Sequence, residues 1–221
     1  MPDGVCLPDP PLMIITDRTQ ANRPLEEIAA AAFDAGIRWV SVREKDLPLP
    51  DQTALAHRIA EKAPDDALVG IHGNPGPALP EISAWHLPQA GNLSTARQKT
   101  RQQALIGKSC HDVEAARAAS RDGADYVTLS PVFNTNSKPD YGPALGPRRV
   151  QEAAAALSAA SCRLIALGGV SSTTIGVCRQ TGADGVAVMG EIMRSANPGV
   201  AARALIQAWI AAEFLRPFRC R

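Results

Sequence analysis

The sequence predicts an α/β protein, a single (β/α)8 TIM barrel of parallel strands, on three observations. Eight short apolar runs alternate with Ala-rich amphipathic stretches along 221 residues, the pattern of repeated βαβ units. Three helix-to-strand junctions look alike: DAGIRWVSV (34–42), DGADYVTL (122–129) and TGADGVAV (181–188). Each places a Gly after a helix, where a left-handed C-cap needs no Cβ. The residues closing the strand candidates are also unusually polar, and a parallel barrel gathers its chemistry at those ends.

Taken in order, strands are expected at 12–16, 39–43, 68–72, 84–87, 104–109, 126–130, 163–167 and 185–189. Helices are expected at 25–34, 51–62, 77–81, 94–101, 112–122, 147–159, 174–181 and 200–214. The barrel then spans 12–214, between an N-terminal extension (1–11) and a C-terminal tail (215–221). Eight units fill this length and leave little room for a second domain. A doubly wound sheet would carry a glycine fingerprint after its first strand, where this chain has ITDRTQ.

Composition removes several function classes. Apolar residues make up 45% and charged residues 20%, and 23 basic residues face 22 acidic ones. Basic residues do not cluster, so no nucleic-acid partner is expected. No apolar stretch approaches the length needed to span a bilayer, so no membrane partner is expected either. Five scattered cysteines without a Cys-x-x-Cys pair argue against a disulfide framework or zinc site. With no basic-then-apolar start in MPDGVCLPDPP, the expected location is cytoplasmic. Ala-rich outer helices and the apolar last helix with Trp209 suggest a homodimer.

At the strand ends, the glycines of LGGVS (167–171) and Met189-Gly190-Glu191 let backbone N–H groups approach an anion. Phosphate sites after strands seven and eight recur in this fold. His111 is the candidate acid–base group, since imidazole titrates near neutrality; Asp112 beside it can equally cap the next helix. Arg43 and Lys45, two apart, share one face of an extended segment and suit an anion. The alternative is a solvated R-E-K-D run in which Glu44 and Asp46 neutralise their neighbours. Lys138, with Thr135 and Ser137, lies in NTNSKPDYGPALGP, long enough to fold over the barrel mouth. Cys110 beside His111 reads as a buried structural thiol, because neighbours in a strand face opposite ways. His72 and His86 read as pocket or core residues, with no metal ligands assigned.

Together the segments IITDR (14–18), VREK (42–45), GKSCH (107–111), DGADYVTLSPVFNTNSKP (122–139), YGPALG (141–146), ALGGV (166–170) and TGADGVAVMG (181–190) resemble the thiamine phosphate synthase/TenI family. The resemblance covers about residues 12–200 and implies a phosphorylated thiazole as ligand. It implies one of two activities. Synthases couple a hydroxymethylpyrimidine diphosphate to a thiazole phosphate with Mg²⁺ assistance and loss of pyrophosphate. TenI-type tautomerases aromatise a carboxylated thiazole phosphate by proton transfer. Synthases carry Asn-Asp after strand three and an Asp shortly after strand four; this chain has His72-Gly73 and Gly91, and Ser41 where they have Gln. The expectation is therefore a metal-independent TenI-like isomerase without a cofactor, with a Mg²⁺-dependent synthase or a non-catalytic binder as alternatives. By resemblance His111 shuttles the proton, and Gly168, Gly169, Val188, Met189 and Gly190 cradle phosphate. Arg43, Lys45, Ser109, Thr135, Ser137 and Lys138 match ligand-contact groups.

Overall fold

The computed structural model describes residues 6–76, 82–135 and 143–215. Eight strands form one closed parallel barrel in sequence order, β8 pairing back onto β1. They are β1 (Leu12–Ile15), β2 (Trp39–Val42), β3 (Leu68–His72), β4 (Ala84–Leu87), β5 (Leu105–Cys110), β6 (Tyr126–Leu129), β7 (Arg163–Leu167) and β8 (Gly185–Val188). All eight lie where the hydrophobic runs place them, within a residue or so at each end. The helices are α1 (Leu25–Asp34), α2 (Leu49–Ala60), α3 (Leu93–Lys99), α4 (Val113–Arg121), α5 (Gly146–Ala156), α6 (Ile175–Gln180), α7 (Gly190–Met193) and α8 (Pro198–Ala211). The helix expected at 77–81 falls outside the described residues. The four-residue α7 is a helix the periodicity does not foresee, being too short to show one. Helix α2 starts two residues before its expected position, with Pro50 in its first turn, where a missing N–H costs nothing.

Alternation along each strand divides the core in two. Leu12, Ile14, Val40, Val42, Trp85, Leu87, Val127, Leu129 and Val186 pack outward against the helices. Met13, Ile15, Trp39, Tyr126, Ile165 and Ala187 fill the interior. Trp39 and Tyr126 meet edge-to-face with centroids 4.9 Å apart. Gly107 makes room for Tyr126: a Cβ there would stand 2.1 Å from its Cζ. The three recurring junction glycines all have positive φ, at 108° (Gly36), 91° (Gly123) and 101° (Gly182), so the C-cap reading holds. No helix among the described residues is long and apolar enough to cross a membrane.

Candidate active site

The same alternation carries Ile15, Ser109, Leu167 and Ala187 up to the C-terminal mouth, where they help line a cavity of about 350 Å³. Arg43, Lys45, His72, Gln89, His111, Thr135, Gly168, Gly169, Val188, Met189, Gly190 and Arg194 also line it. Ten of the twelve expected site residues thus meet in one cavity. The other two, Ser137 and Lys138, lie outside the described residues.

Arg43 and Lys45 share the cavity wall as their spacing requires, and Glu44 between them turns the other way. Glu44 is 2% exposed. It accepts hydrogen bonds from Thr16 Oγ1 at 2.6 Å and from the Arg18 amide at 3.0 Å. Thr16 Oγ1 in turn accepts from the Arg43 amide at 2.9 Å. The solvated R-E-K-D reading is therefore corrected. Glu44 ties β1 to β2 and fixes the Arg43 backbone, while Asp46 pairs with Arg18. Burial, and then the neighbouring Arg43 charge, lower the Lys45 pKa from its ordinary value. Two cations held side by side repel, and an anion between them relieves this.

His111 Nδ1 lies 2.8 Å from the Ser130 carbonyl oxygen, which can only accept, so this nitrogen carries the proton. In the neutral ring Nε2 then holds the lone pair. Asp112 does cap α4, its carboxylate accepting from the Ala115 amide at 2.7 Å. The two readings of this pair are compatible, since the cap uses the Asp112 carboxylate and occupies neither ring nitrogen of His111. Cys110 is buried, and desolvation pushes its thiol up to about 12.

Beneath the floor, His86 Nδ1 is 3.1 Å from the Tyr126 hydroxyl, and Nε2 is 3.0 Å from Ser109 Oγ and 3.2 Å from Thr128 Oγ1. Burial, helped by the Arg43 charge, lowers the His86 pKa to about 3, so it is neutral. Ser109 therefore lines the cavity with its hydroxyl already engaged by His86, a partnership no spacing rule reveals. The His72 ring lies against His86 with centroids 4.5 Å apart, tilted by 49°.

The opposite wall is main chain. Gly168 and Gly169 have φ of 95° and 64°, and Cβ atoms there would stand 2.7 Å from Pro131 Cα and Phe133 Cβ respectively. Val132 and Phe133 amides donate to the Leu167 and Gly168 carbonyls at 2.9 Å, stitching the β6 and β7 loops together. Arg194 enters from the C-cap of α7; no strand-end pattern points to it. Donors that could hold Mg²⁺ are poor on the β3–β4 side. The residues there are His72 and Gln89, the sole carboxylate among the described lining residues is Glu191 on α7, and a Cβ on Gly73 would meet nothing within 4 Å. A hard cation that favours carboxylate oxygens does not fit this set.

Comparison with known proteins places these features in a family. The family described as thiamine monophosphate synthase matches residues 12–192. A thiamine-phosphate synthase of Methanoculleus marisnigri is 34% identical over 202 residues, 88% of this chain and 92% of that protein. The bifunctional thiamine biosynthesis protein ThiM/ThiE of Symbiobacterium thermophilum is 36% identical over 186 residues, 81% of this chain but 38% of that longer protein. In fold, thiamine phosphate pyrophosphorylase from Pyrococcus furiosus superposes with a TM-score of 0.74 over 91% of this chain and 96% of its own, at 21% identity. The chain belongs to the thiamine monophosphate synthase/TenI family.

Proposed function

We propose that this chain is an enzyme of thiamine biosynthesis that binds a thiazole phosphate in the barrel-mouth cavity. The reaction its relatives' names support is that of a thiamine-phosphate synthase, a transferase. This reverses the order expected from sequence, where the isomerase came first. The observation that carries the reading is the meeting of Arg43, Lys45, Ser109 and Thr135 with the Gly168–Gly169 main chain in one cavity of a chain matched along nearly its whole barrel. In it the glycine wall receives the thiazole phosphate, and Arg43, Lys45 and Thr135 receive the second anionic group. In the synthase reaction that group is the diphosphate of the pyrimidine, which departs as the thiazole nitrogen bonds to the pyrimidine methylene carbon. His111, held by Ser130, gives or takes protons beside them.

One observation favours the tautomerase as a second reading: the β3–β4 ends present Gly73 and Gly91 where synthases of the family place carboxylates. In that reading the cationic wall holds the thiazole carboxylate and His111 relays the proton. Two assays separate the readings. Pyrophosphate release from both substrates with Mg²⁺ establishes the synthase. Ultraviolet-monitored aromatisation of the carboxylated thiazole phosphate, without pyrophosphate release, establishes the tautomerase. Binding without either turnover leaves a non-catalytic binder.

A further inference from the structure

Beside the glycine wall stands a cation that neither the strand-end pattern nor the family motifs name. Arg194 lines the cavity beside Met189, Gly190 and Glu191. Its guanidinium occupies the space that a Cβ on Gly190 would fill, so it lies against the main chain of the turn between β8 and α7. Further contacts direct it. Arg194 Nη1 donates to Gln20 Oε1, and Gln20 Nε2 donates to Asp17 Oδ2 at 2.5 Å. Burial opposes ionisation of Asp17, but hydrogen bonds from Thr19 and Gln20 outweigh it and lower its pKa, keeping it anionic at neutral pH. The Arg194 carbonyl also accepts from Asn22 Nδ2 at 2.8 Å. A carboxylate–amide–guanidinium relay thus runs from the loop after β1 to the C-cap of α7.

Glycine amides offer partial charges only, so a dianionic phosphate resting on them keeps charge on its outward oxygens. A guanidinium fork matches two such oxygens at once. The nearby carboxylate of Glu191 is engaged by Ser172 Oγ at 3.5 Å.

We propose that Arg194 is a phosphate-binding residue of this site, closing over a phosphomonoester seated against Gly168, Gly169 and Gly190, and that Gly190 is glycine to leave room for it. The inference rests on the thiazole-phosphate reading of the cavity. It names the group that sets preference for the phosphorylated thiazole over the free thiazole alcohol.

The test is calorimetry on the wild type, Arg194→Gln, Gly190→Ala and the double variant. The probes are inorganic phosphate, thiazole phosphate and thiazole alcohol. Arg194→Gln should bind both phosphates about tenfold more weakly, the scale of one partly exposed charge-assisted hydrogen bond, with thiazole alcohol unchanged. Gly190→Ala should reproduce that loss by displacing the guanidinium, and the double variant should lose nothing more. Phosphate binding that is undetectable in the wild type, equal in Arg194→Gln, or lost additively in the double variant would overturn the assignment. Arg194-dependent binding of inorganic phosphate without binding of either thiazole would sink the proposed function and leave the assignment standing.

Discussion

His111 sits in the cavity wall with Nδ1 donating to Ser130, whereas His86 lies below the floor with both ring nitrogens bonded to protein hydroxyls. Their surroundings separate their chemistry. Replacing His111 with Ala should lower kcat by about 10²–10⁴-fold, the range of positioned acid–base catalysis, while phosphate affinity measured by calorimetry stays within twofold. Full activity would remove His111 from proton transfer. His86 should instead act on stability. Its folded pKa of about 3 lies below the ordinary 6.5, so between those values the unfolded chain takes up the proton first. The contribution is complete above pH 6.5 and is lost as pH falls toward 3, at up to about 1.4 kcal/mol per pH unit. Urea unfolding of the wild type and His86→Gln from pH 7 to 4 should show a shallower slope for the variant; equal slopes would contradict a neutral buried imidazole.

The loops after β6 and β7 form one seam, and two glycines with similar φ test what that seam contributes. Gly168 (95°) has Pro131 against its empty Cβ position, while Gly123 (91°) has nothing within 4 Å. Gly123→Ala should cost about 1–2 kcal/mol of backbone strain alone. Gly168→Ala should cost roughly 1–3 kcal/mol more from overpacking and weaken phosphate binding as well, both readable by chemical unfolding and calorimetry. Strands, junction glycines and the Arg43/Lys45 face were legible in the sequence because each follows from a two- or four-residue pattern. Glu44, Ser109 and Arg194 were not. Glu44 looks like a surface charge until β1 lies beside it. The hydroxyl of Ser109 is claimed by a residue 23 positions away. Arg194 becomes a site residue through Gln20, 174 positions earlier. Choosing between the two reactions was equally hard, since it turns on side chains the pattern has lost rather than on any it contains.

Across the whole molecule, three thiols report on barrel integrity. Cys110, Cys162 and Cys178 are buried, and desolvation pushes each up to about 12; Cys6 is exposed. A thiol reagent followed by mass spectrometry should label Cys6 promptly in the native protein and leave Cys110, Cys162 and Cys178 untouched; Cys220 lies outside the described residues. If the barrel opens as one unit, those three should react at a common rate that tracks global unfolding. Prompt native labelling of Cys110 would show that the β5 end opens locally.

Pairing of β8 with β1 also decides when binding becomes possible at all. One wall of the cavity comes from the first fifth of the chain and the facing wall from the last third, and the Arg194–Gln20 bond spans the gap. A fragment ending before β8 would keep the cations and Gly168–Gly169 but lack Gly190, Arg194 and the strand that closes the ring. Ligand affinity in such fragments should switch on with the final strand rather than grow with length, so the ligand serves as a sensor of ring closure.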